Sequence, residues 1–71
     1  MKTVNAWVEP TNVNYRSSAY EVAQFATEAF EAKRTMKFVS NFAKRAGFDE
    51  VQTEVAVSAW RAARDEAKAA S

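Results

Sequence analysis

The chain has 71 residues, a formal charge of +1, and neither cysteine nor histidine. That length allows one domain, without disulfide staples and without the ligands a structural zinc site prefers. A charge so near zero supplies no global field to draw the protein onto nucleic acid or a membrane. A single core in a chain below ~80 residues seldom supplies more than about 3–5 kcal/mol, so helix packing and a protein partner are the remaining sources of stability. Five phenylalanines, two tyrosines and two tryptophans exceed what such a core needs, which points to a partner surface. The first ten residues, MKTVNAWVEP, hold no apolar run of signal-peptide length. No window approaches the ~18 apolar residues of a membrane span. The expected location is the cytoplasm, with a peripheral place on a membrane complex as the variant.

Residues 1–17 carry the only proline, Pro10. Val4, Ala6 and Val8 alternate with Asn5 and Trp7, and Val13 and Tyr15 alternate around Asn14. A period of two predicts an extended arm or short strand. Trp7 and Tyr15 are costly to leave in water. They either cap the helical core or anchor a partner.

Ser18 opens the helical domain, 18–71. With Glu21 three residues later it forms a capping box, in which each side chain bonds the other's backbone amide. Between Ser18 and Ala46 there is no glycine or proline. Val22, Phe25, Ala29, Ala32, Met36, Val39, Ala43 and Ala46 recur at helical steps, flanked by Phe30, Phe38 and Phe42. One straight helix of that length would be about 40 Å long and could not bury its own stripe. It either breaks between Ala32 and Thr35 and folds back, with Thr35 as a new cap, or stays straight and offers the stripe to another chain. The break is the favoured reading.

Gly47, the only glycine, suits the left-handed residue just past a helix end, and Phe48 can fold back on that turn. Asp49 and Gln52 resemble a second capping box, with Thr53 as a rival cap. The last helix is expected to reach Lys68. Its predicted stripe is Val51, Val55, Ala59 and Ala62, flanked by Ala56, Trp60 and Ala63, with a frayed tail beyond. Arg61 and Asp65 are placed for an i,i+4 pair. The fold class is therefore all-α: a two- to three-helix domain, in essence a helical hairpin, with an extended N-terminal arm.

Catalytic chemistry finds little support. Without histidine, the serines at 17, 18, 40, 58 and 71 lack an activating base. One glycine cannot build a phosphate-cradling loop. The neighbouring acids Asp49–Glu50 and Asp65–Glu66 read as solvated surface or partners of helix N-termini. No enzyme, cofactor or metal is expected. One charge feature stands out. Lys33, Arg34, Lys37, Lys44 and Arg45 are the only charged residues between Glu31 and Asp49, and all are basic. At 100° per residue Lys33, Lys37 and Lys44 share a side, with Phe38 and Asn41 interleaved. Such a face is either solvated surface, a dock for an acidic protein or anionic head groups, or a contact to nucleic-acid phosphates.

Residues 42–60 carry an aromatic and alanine, Phe42 and Ala43, then Lys44, Arg45 and Gly47. Asp49, Glu50, Val51, Glu54 and Ala59 follow. This pattern resembles the small helical domain at the C-terminus of the B subunit of light-independent protochlorophyllide reductase. The resemblance covers about nineteen residues, without gaps. It departs where Gln52 stands in place of threonine, and around Phe30 to Arg34, where the family's proline and arginine have no counterpart. The large catalytic and cluster-binding domains of that family are absent from this sequence. What the resemblance implies is a docking module of photosynthetic or chlorophyll-related metabolism, with no catalytic residue.

The leading expectation is a non-catalytic accessory subunit that grips a larger protein through Trp7, Tyr15, Lys33, Arg34, Lys37, Phe38, Lys44, Arg45 and Trp60. The alternative is a small nucleic-acid-binding protein using the basic face at 33–45. A third reading is pigment binding. Without histidine, a carbonyl, asparagine or water would then have to ligate magnesium.

Overall fold

The computed structural model describes residues 9–70, so Trp7 and the alternation around it lie outside the described residues. Three helices follow in order: α1, Ala19–Glu31; α2, Met36–Ala46; and α3, Glu50–Ala70. No strand occurs among the described residues. None of the helices is long and apolar enough to cross a membrane.

Each boundary follows from local chemistry. At α1 the Ser18 Oγ accepts from the Glu21 amide at 3.2 Å, and the Glu21 carboxylate accepts from the Ser18 amide at 2.9 Å. The long apolar stripe breaks where the sequence allows it. Arg34 N–H donates to the Ala29 carbonyl and Lys33 N–H to that of Phe30, closing the end of α1. This closure forces Lys33 to φ 68°, the one non-glycine residue with positive φ among those described. Thr35 then caps α2 by accepting from the Phe38 amide at 3.1 Å.

The end of α2 repeats the same device. Phe48 N–H donates to the Ala43 carbonyl and Gly47 N–H to that of Lys44, with Gly47 at φ 79°. Here a glycine takes the left-handed position, which costs it almost nothing. Phe48 folds back so that its ring lies 5.9 Å from that of Phe42. Asp49 and Gln52 then bond each other's backbone amides at 2.7 and 3.1 Å, which starts α3.

Helix α3 packs against both α1 and α2 and holds them together. The core is a cluster of Val22, Phe25, Ala26, Ala29, Val39, Phe42 and Ala56. Phe25 and Phe42 stack with ring centroids 4.2 Å apart. Four of the cluster's members are alanine or valine on α1 alone or on α3, so the helices approach closely but bury little bulk. Val22 and Val39 are its largest fully buried side chains.

The buried face of α3 differs from the expected stripe. Gln52 and Ala56 are buried and Val55, Ala59 and Trp60 pack on the core, whereas Val51 is 68% exposed and Ala62 is exposed. The cause is Gln52. Its side chain must point inward to reach the chain before α1, and that turns Val51 out. The helix also continues to Ala70 rather than stopping at Lys68. Asp65 pairs with Arg64 at 3.1 Å rather than with Arg61.

Candidate docking surface

The segment before α1 is not extended throughout. Ser17 N–H donates to the Asn14 carbonyl at 2.9 Å, closing a turn over residues 14–17. The Asn14 side chain accepts from the Arg16 amide at 2.8 Å and the Ser17 hydroxyl from the Asn14 amide at 2.9 Å. Asparagine and serine favour such turns because their short polar side chains satisfy nearby backbone groups. This chemistry overrides the two-residue alternation read at Val13–Tyr15. Val13 packs against the core.

Gln52 fastens this turn to the helical body. Its Nε2 amide faces the carbonyls of Tyr15, Ser17 and Asn14 at 3.0, 3.1 and 3.4 Å. At 9% exposure it is the one buried polar side chain among the described residues. Glutamine supplies both halves of the job: its oxygen caps α3 and its NH₂ ties down the arm. Read from the sequence it was only half of a capping box. No local pattern marks the three remote carbonyls.

Tyr15 is 64% exposed, yet its ring borders Gly47, where an ideal Cβ would lie 3.7 Å from Cδ1. Between the arm and α2 runs an open groove of about 390 Å³, lined by Pro10, Val13, Tyr15, Phe42, Arg45 and Ala46. Arg45 crosses its rim and binds both carboxylate oxygens of Glu9, at 3.1 and 3.3 Å.

The five basic residues thus divide into two groups. Arg45 is engaged with Glu9, and its guanidinium also lies 5.8 Å from the Phe42 ring centroid. Arg34 stands 5.9 Å over the half-buried Phe38 ring, and its carbonyl accepts from Trp60 Nε1 at 3.1 Å. Trp60 itself meets Phe30 edge-on at 5.5 Å, so this expected partner contact ties the α1–α2 connection to α3. Lys33, Lys37 and Lys44 form the second group. All three are exposed, and among the described residues none has a carboxylate within ion-pair distance. Lys37, Asn41 and Lys44 occupy the side of α2 opposite Val39, Phe42 and Ala43, which face the core. Lys44 and Arg45 also sit in the last turn, where cations favour the negative end of the helix dipole.

The pattern at 42–60 now has a physical reading. Phe42 and Ala43 are core, Gly47 is the left-handed cap, and Asp49 starts α3. Glu50, Val51 and Glu54 are exposed, and none of these fold contacts uses their side chains. Comparison with protein-family models, curated proteins and solved structures finds no match to this chain.

Proposed function

We propose that this chain is a small non-catalytic docking module that attaches to a larger protein through the basic outer face of α2, flanked by the arm. The observation that carries this reading is the row Lys37–Asn41–Lys44. It projects away from the core, lacks acidic neighbours within ion-pair reach, and contributes nothing to burial. Lys37 stands in the first turn of α2, where a cation is unfavourable beside the positive end of the helix dipole, so an acidic partner surface would relieve a small strain. Tyr15 and the groove beside Arg45 supply apolar area at the edge of the same helix.

Immobilised protein is expected to retain an acidic protein partner at low ionic strength and release it as salt is raised. The double substitution Lys37→Glu, Lys44→Glu should abolish retention while leaving the helical circular-dichroism signal intact. Retention that survives that substitution removes this surface from the reading. Retention of nucleic acid in place of protein, with the steep salt dependence of phosphate contacts, replaces the module by the nucleic-acid reading. The resemblance at 42–60 supports a finer version, in which the partner belongs to a chlorophyll-related assembly. Titration against the purified reductase subunits checks that version, and absence of binding discards it.

A further inference from the structure

Charge is segregated between the first two helices, whereas α3 carries both signs. Helix α1 holds three glutamates and no basic residue, whereas residues 32–48 hold five basic residues and no acid. Glu21 is occupied by its cap. Glu28 and Glu31 are exposed, with no ion pair among the described residues. On the helical wheel they share the solvent side of α1 with Tyr20 and Gln24, opposite Val22, Phe25 and Ala29, which are buried. Tyr20 is 75% exposed, the most exposed of the large apolar side chains described. Tyrosine is among the residues that most often anchor protein contacts. The acidic row spans about 16 Å from residue 20 to residue 31, and the basic row about 10 Å from Lys37 to Lys44. The α2 row therefore fits within the length of the α1 row.

We infer that the basic face of α2 receives the acidic, tyrosine-bearing face of α1 from a second copy of this chain. The inference rests on the reading of α2 as a docking surface and names one occupant for it. Glu28 and Glu31 of one copy, about 4.5 Å apart along α1, lie over the middle of the basic row, within reach of the long stems of Lys37 and Lys44 on either side, while Gln24 and Tyr20 extend past one end of it. Exposed charge pairs are individually weak and screened by salt, so the association is reversible and salt-sensitive. It also competes with any acidic protein for the same lysines.

The test is sedimentation of the full chain at low and physiological ionic strength, alone and in mixtures. The wild type is expected to self-associate, with an association constant that falls about tenfold as the screening length shortens from ~30 to ~8 Å. Glu28→Lys, Glu31→Lys and Lys37→Glu, Lys44→Glu variants should each be monomeric alone and should associate when mixed, because reversing both faces restores opposite signs. A Glu54→Lys, Glu66→Lys variant changes the net charge as much as the first pair, at exposed sites on α3, and should self-associate like wild type. A wild type that stays monomeric at low salt, a mixture that does not associate, or a control that fails as the α1 variant does overturns the pairing. If the wild type is monomeric but still captures an acidic protein through Lys37 and Lys44, the pairing falls and the docking reading stands. If reversing the lysines alters neither, both fall.

Discussion

Gln52 shows how much one side chain can organise in a chain this small. Its amide nitrogen faces three backbone carbonyls at 3.0–3.4 Å while its oxygen caps α3 at 3.1 Å. Removing it takes the donor from the part-buried carbonyls of Tyr15 and Ser17 and the cap from α3, while the Asn14 carbonyl keeps the Ser17 amide; each lost hydrogen bond costs about 0.5–1.5 kcal/mol. Gln52→Ala should therefore lower the free energy of unfolding by about 2–3 kcal/mol, read from urea titration, and should speed amide exchange at Arg16 and Ser17. Gln52→Glu keeps the size but aims a carboxylate at those carbonyls. The repulsion raises the introduced group's pKa in the folded state above its unfolded value of about 4.3. The contribution of the protonated form is thus present below that value and is lost as pH climbs through the raised folded-state pKa. The deficit relative to wild type should widen from pH ~4 toward neutrality, in the same titration repeated across pH.

The two helix ends that share one closing geometry differ in a single respect: α1 places Lys33 in the left-handed position and α2 places Gly47 there. A side chain at such a φ costs about 1–2 kcal/mol. Lys33→Gly should raise the thermal midpoint by removing that strain, and Gly47→Ala should lower stability by about 1–2 kcal/mol. Calorimetry of the two variants separates the signs. The alanine's Cβ would meet only ordinary contact with Tyr15, so the loss reports backbone conformation and not a clash. These ends also show what could be read in advance. Ser18, Thr35 and Gly47 announce α1, the break and the end of α2 because capping chemistry is local. Helical period alone puts Lys37 and Lys44 on one outward side, but it wrongly adds Lys33, which lies in the break between α1 and α2 where no helical period holds. The face of α3 was misassigned through Val51 and Ala62, because apolar spacing alone could not weigh a glutamine whose partners lie far away in sequence. The turn at Asn14–Ser17 was hidden in the same way, its side-chain bonds outweighing the alternation.

At the scale of the whole molecule the core is thin, and its two stacked rings carry an outsized share. Phe42 is 4% exposed and touches both Phe25 and Phe48. Truncating a buried phenylalanine costs about 3–5 kcal/mol, comparable with all that a core of this size supplies. Phe42→Ala should accordingly unfold the isolated protein at room temperature, seen as loss of the helical far-ultraviolet signal. The Gln52 clasp has a kinetic corollary. Its bonds join positions 35, 37 and 38 residues apart, so closing them encircles both α1 and α2 and carries a loop-entropy penalty that local helical turns avoid. Such a link is expected to form after the rate-limiting barrier, so stopped-flow experiments on Gln52→Ala should find refolding almost unchanged and unfolding accelerated. The turn at Asn14–Ser17 would then be the last part to lock and the first to let go.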